Sequence, residues 1–223
     1  MSGSILVTGF GPFPGHPVNP TLLALDELPP DSRGRVLLCE HGGAQSGRLG
    51  VFDSSLEHQT RIERVSLTVD IEGANTVAEW LESGKRWDAI IHAGVDAKVA
   101  LPRAELTAYN HLEFEKIDVQ NRSALGPVIE GAPKLIQTHE VVERICSGLP
   151  ENWSPVQQIG AYVCNETYFR TLECCQRLNL DIPVVFLHVP DSNPERVAGW
   201  MNWWVQRLAR PPRTVVAGVA LRR

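Results

Sequence analysis

Ser4-Ile5-Leu6-Val7-Thr8-Gly9-Phe10-Gly11-Pro12-Phe13 is a continuous apolar, β-branched run that breaks into glycine and proline. Such a run, lacking polar alternation, predicts a strand buried on both faces, as in a parallel sheet covered by helices. Runs of the same kind recur at 35–40, 64–71, 87–95, 156–163 and 182–189. Between them, helix-period segments occupy 19–27, 73–83, 134–147, 165–178 and 193–209. In the last of these, Val197, Met201, Trp204, Val205 and Leu208 fall at three-and-four spacing and predict a buried stripe, flanked by Trp200 and Trp203. Alternating strands and helices predict an α/β fold built on a parallel sheet. Two stretches, 40–60 and 114–131, lack either period and are expected to be functional loops.

Length and composition bound the rest. A chain of 223 residues, 43% hydrophobic and 21% charged, is expected to form one compact domain over 1–223. No apolar run reaches the ~18 residues that span a bilayer, and the amino terminus carries no basic stretch leading into a long apolar one. A soluble, cytoplasmic protein that engages no membrane is the expectation. The net charge of −5, without clustered Lys and Arg, argues against nucleic acid as a partner. Five cysteines, without a CxxC pair, suit a reducing compartment and offer no metal site. His139-Glu140 followed by Glu143 departs from the HExxH pattern at its last position and reads as an amphipathic helix.

The glycine-rich turn after the first strand invites a dinucleotide reading, but Pro14 stands where the fingerprint needs glycine, with Pro17 and Pro20 behind it. The turn offers instead two aromatic rings, Phe10 and Phe13, at the carboxyl end of a strand, where open α/β sheets bind ligands. They suit a small, flat, apolar ligand, or else simply belong to the core. Further along, Gly160-Ala161-Tyr162-Val163-Cys164-Asn165 reads as a strand ending in cysteine, with Asn165 capping the helix behind it. A thiol there feels the positive helix end and its unpaired N–H groups, which favour thiolate and can receive an oxyanion. Against that stands the tendency of free cysteine to be buried and inert. His188 ends the strand at 182–189 on the same sheet edge, the minimum for thiol-based acyl transfer. Glu105, just beyond the strand at 87–95, is the candidate third member. His92, inside its strand, reads as a core histidine.

These segments together resemble the pyroglutamyl peptidase I family, the pyrrolidone-carboxylate peptidases. The likeness rests on Val7-Thr8-Gly9-Phe10-Gly11-Pro12-Phe13 with Val18-Asn19-Pro20, on Gly94, on Glu105 through Asn110, on Gly160 with Val163-Cys164-Asn165, and on His188-Val189-Pro190. It implies a single α/β domain with a mixed, mostly parallel twisted sheet between helices. It further implies a cysteine exopeptidase acting on peptides with an N-terminal pyroglutamate, without metal or cofactor, assembled as a dimer or tetramer. By resemblance, Cys164 is the nucleophile and an oxyanion donor through its N–H, His188 the base and Glu105 the third member. Phe10 and Phe13 sandwich the pyrrolidone ring, and Asn19, Gly94 and Val95 complete the pocket. Relative to the family, 40–61 reads as a loop insertion and 211–223 as an undecided tail. Departures at Lys98, Val99 and Ile159 border the expected pocket. The competing readings are a catalytically inactive or altered-specificity binding module on the same fold, and a different enzyme on a similar sheet.

Overall fold

The computed structural model describes residues 3–29, 60–115, 117–156 and 159–209. The expected strand at 35–40, nearly all of the expected insertion at 40–61 and the tail at 211–223 lie outside the described residues. Six strands form one sheet in the order β2-β1-β3-β10-β4-β9. They are β1 (Ser4–Phe10), β2 (Arg61–Leu67), β3 (Ala89–Val95), β4 (Arg103–Glu105), β9 (Ser154–Val156) and β10 (Val184–Val189). Every neighbouring pair is parallel except β10 with β4, so the sheet is mixed and mostly parallel. Two small ladders pair β5 (Thr107–Tyr109) with β8 (Leu135–Gln137), and β6 (Leu112–Glu113) with β7 (Leu125–Gly126).

Strand periodicity sorts the core into two layers. Ile5, Val7, Ile91, Val185 and Leu187 face α1 (Pro20–Glu27), α3 (Glu140–Cys146) and α5 (Pro194–Leu208). Leu6, Ile90, Val184 and Phe186 face α2 (Ile71–Glu82) and α4 (Val163–Arg177). The expected stripe of α5 is buried, and beside it Trp153, Trp203 and Trp204 pack ring to ring at 5.4–6.3 Å, with Arg207 lying 3.5 Å over Trp203. α1 approaches β1 closely because residue 9 is glycine: a Cβ there would stand 2.4 Å from the Thr21 carbonyl oxygen.

Three sequence expectations need correction. The strand expected at 64–71 runs instead over Arg61–Leu67, because Asp70 accepts from the Gly73 N–H at 2.8 Å and starts α2 at Ile71. The helix expected from 134 begins at Glu140; Leu135–Gln137 is strand β8, and His139 caps the helix by accepting from the Val141 N–H. The strand expected at 156–163 is limited to Ser154–Val156. Gly160, at φ +87°, turns the chain out of extended conformation, and helix α4 has begun by Val163.

Candidate active site

Three neighbouring strands bring the site together through register alone. His188 on β10 pairs with Gly94 on β3 and with Arg103 on β4, while Glu105 pairs with Phe186. Phe186 belongs to the layer that faces α4, and period-two alternation puts His188 on that face too. Glu105 is its diagonal neighbour across the antiparallel ladder, within side-chain reach. The Nδ1–H of His188 donates to Glu105 Oε1 at 2.8 Å, with both residues almost fully buried. Tyr168 donates its hydroxyl to the Glu105 carbonyl at 3.0 Å, tying β4 to α4.

Cys164 approaches from α4, where it is the second helical residue. A Cβ at position 94 would lie 2.9 Å from its Sγ and 3.1 Å from the Phe186 ring, so glycine there is what admits the thiol beside β3. Cys164 is also one of the groups whose proximity raises the His188 pKa, so the thiol and the imidazole share one site. The backbone N–H of Cys164 belongs to the first helical turn, whose donors the helix leaves without partners. Tyr162, the N-cap residue, supplies no side-chain bond to them.

Burial on its own would disfavour a charged imidazole at His188, but hydrogen bonds and charge from Cys164 and Glu105 outweigh it and raise the pKa from 6.5 to about 10. The arrangement therefore holds an imidazolium beside the sulfur. His92 is the opposite case on the neighbouring strand: burial drives its pKa down to about 3, and its two ring nitrogens meet the hydroxyls of Thr8 and Thr171. It is the core histidine the sequence predicts. Burial raises Cys146 and Cys175 to about 12 and also raises Cys174.

Next to the thiol opens a pocket of about 340 Å³, mouth included, lined by Phe10, Phe13, Asn19, Val69, Gly94, Val95, Tyr162, Val163 and Cys164. The pocket is small and mostly apolar. Phe13 is held in a tight turn, exchanging backbone hydrogen bonds with His16, whose ring stacks on it at 4.5 Å. Asn19 contributes as a brace: its Oδ1 accepts from the N–H and hydroxyl of Thr21, and its Nδ2 donates to the Gly11 carbonyl. It fixes the 9–13 turn against α1.

No family model matches the chain. The pyrrolidone-carboxylate peptidase of Thermococcus kodakarensis is 26% identical over 195 residues, covering 86% of this chain and 82% of that protein. Its namesake in Vibrio parahaemolyticus is 26% identical over 192 residues, covering 83% and 77%. The crystal structure of pyrrolidone carboxyl peptidase from Thermus thermophilus superposes with a TM-score of 0.61 at 25% identity, covering 93% of this chain and 90% of that one. Over most of its length the chain is similar to the pyrrolidone-carboxylate peptidases. The fold agrees as well with pyroglutamyl peptidase I from Bacillus amyloliquefaciens, at a TM-score of 0.73 and 20% identity over 94% and 96% of the two chains.

All eight residues singled out in the sequence come to one edge of the sheet. Six of them, Phe10, Phe13, Asn19, Gly94, Val95 and Cys164, line the pocket, and His188 and Glu105 stand behind the thiol. The departures at Lys98, Val99 and Ile159 do not form its walls: Lys98 reaches into solvent toward Glu115, whereas Val99 and Ile159 are buried. Asn165 is not the helix cap expected of it, since α4 starts two residues earlier. Its side chain accepts from the Tyr109 N–H and donates to the carbonyls of Tyr109 and His111, pinning α4 to the segment behind β5. Sequence reasoning missed Val69, Tyr162 and Val163 as pocket walls. Tyr162 and Val163 immediately precede the cysteine, and that adjacency was the available signal.

A network missed in the sequence holds α4 to the preceding loop. Arg122 donates to both oxygens of Glu166, at 3.3 and 2.6 Å, and to Asp118 at 2.8 Å; Arg170 adds a second cation to Glu166. Phe114 packs edge-on against Tyr162 at 4.7 Å and lies under the Arg122 guanidinium.

Proposed function

We propose that the chain is a cysteine exopeptidase that removes an N-terminal pyroglutamyl residue from peptides. What supports this reading above all is Cys164 beside the hydrogen-bonded pair His188–Glu105, at the wall of a small apolar pocket. Pyroglutamate is a neutral lactam, so a site for it needs apolar walls and no carboxylate to pair an amine. The Cys164 sulfur attacks the exocyclic carbonyl carbon, forming a C–S bond while the carbonyl oxygen takes the charge. First-turn N–H groups of α4, that of Cys164 among them, receive this oxyanion, each worth about 3 kcal/mol in comparable chemistry. His188 then gives a proton to the departing nitrogen as the C–N bond breaks. In the second half it takes a proton from water, whose oxygen displaces the sulfur and releases free pyroglutamate. Glu105 holds the imidazole in place and compensates its charge. Phe10 and Phe13 flank the lactam ring.

The same proposal includes a homo-oligomer, dimer or tetramer, working in the cytoplasm; no helix among the described residues is long and apolar enough to cross a membrane. The deciding experiment is release of fluorophore from a pyroglutamyl aminocoumarin, beside prolyl and alanyl analogues and a Cys164→Ala control. Hydrolysis of the pyroglutamyl compound alone, lost in the control, is the expected result. Silence of the folded protein on all three would favour the inactive binding module.

A further inference from the structure

The pocket accounts for the acyl side of the scissile bond and leaves the departing residue at its mouth. Seven large apolar residues are exposed among the described residues, and three of them stand directly beside the pocket walls. Val18, 63% exposed, precedes Asn19 in the chain. Ile117, 45% exposed, accepts the Tyr162 hydroxyl on its carbonyl at 3.1 Å. Val119, 39% exposed, donates its N–H to the Val69 carbonyl at 3.2 Å. Asn19, Tyr162 and Val69 all line the pocket, so each exposed side chain is one covalent or one hydrogen-bonded step from its wall. Two separate segments carrying exposed aliphatic residues thus run beside the pocket walls. Among the described residues, Lys98 stands 3.8 Å from Glu115, and Asp118 is engaged by Arg122 and by the N–H groups of Gln120 and Arg122.

Exposed apolar surface contiguous with a binding pocket marks a recognition surface. We propose that Val18, Ile117 and Val119 receive the side chain that follows pyroglutamate, and that the protein prefers peptides in which this side chain is apolar. The inference rests on the peptidase reading above. A charged side chain at that place would surrender hydration to aliphatic walls.

The test compares kcat/KM for the amides of pyroglutamyl-leucine, -alanine, -aspartate and -lysine, following the released amine by mass spectrometry. Leucine is expected to exceed aspartate and lysine by about tenfold or more, with alanine between them. In the I117S/V119S and V18S variants the ratio of leucine to aspartate should fall toward one. Equal kcat/KM for all four amides overturns the proposal and leaves the peptidase reading standing. Cleavage of none overturns both. If the variants keep the leucine preference but lose a concentration-dependent association seen in sedimentation, the surface belongs to a second copy of the chain and the proposal fails.

Discussion

Cys164 differs from the described cysteines in its surroundings, not in its chemistry. Cys146, Cys174 and Cys175 are kept as neutral thiols by burial, whereas Cys164 opens a helix beside a cationic imidazole. Iodoacetamide at neutral pH is therefore expected to alkylate Cys164 well before those three, read by peptide mass mapping; equal labelling would contradict its proposed role as nucleophile. Glu105 permits a second test. Its carboxylate is one of the groups that raise His188, so Glu105→Gln should lower kcat by about a hundredfold or more with little change in KM. It should also move the alkaline limb of the rate profile to lower pH. An unchanged kcat with a raised KM would remove Glu105 from the proposed triad. Gly94 illustrates what a single sequence hides: the letter is legible, but that its missing Cβ makes room for a sulfur appears only once α4 is packed on β3.

At the scale of elements, the long apolar strands and the helices with strong periodicity were legible, because a buried strand must be apolar along its length and a packed helix must carry a stripe. β1, β3 and β10 begin and end within about two residues of where the sequence put them. The failures have a shared cause. β4 and β9 are three residues each, too short for any period to show, and both are defined by their neighbours, not by their own residues. The residues before Cys164 looked like a strand because they are apolar, but among the described ones only Ile159 and Val163 are buried, and Gly160 breaks the extended backbone. The Arg122–Glu166 bond between loop and helix was invisible too, with 44 residues separating its partners. Removing it has a calculable consequence. Arg122→Met leaves a fully buried Glu166 carboxylate with Arg170 as its remaining cation, which should cost about 1–3 kcal/mol in urea unfolding. The paired Arg122→Met/Glu166→Met variant should recover part of that loss. If the single variant is as stable as the parent, the bond does not anchor the loop.

For the whole molecule, pH acts through the same histidine. A group held near 10 when folded and near 6.5 when unfolded takes up a proton on folding. Its contribution to stability is complete below about pH 6.5 and disappears as the pH rises through about 10. The urea midpoint of the parent should accordingly decline across this window more steeply than that of His188→Gln. Parallel declines would mean that His188 is neutral in the folded protein.

The six tryptophans lie away from this chemistry. Trp80 and Trp87 lie near one another in one layer, Trp153, Trp200, Trp203 and Trp204 cluster along the other, and none lines the pocket. Ultraviolet emission from this protein is thus a gauge of how well the outer layers are seated, and it is blind to occupancy of the pocket. Saturating the pocket with free pyroglutamate should leave the emission maximum where it was, while loosening of α5 shifts it to the red well before the thiol is reached.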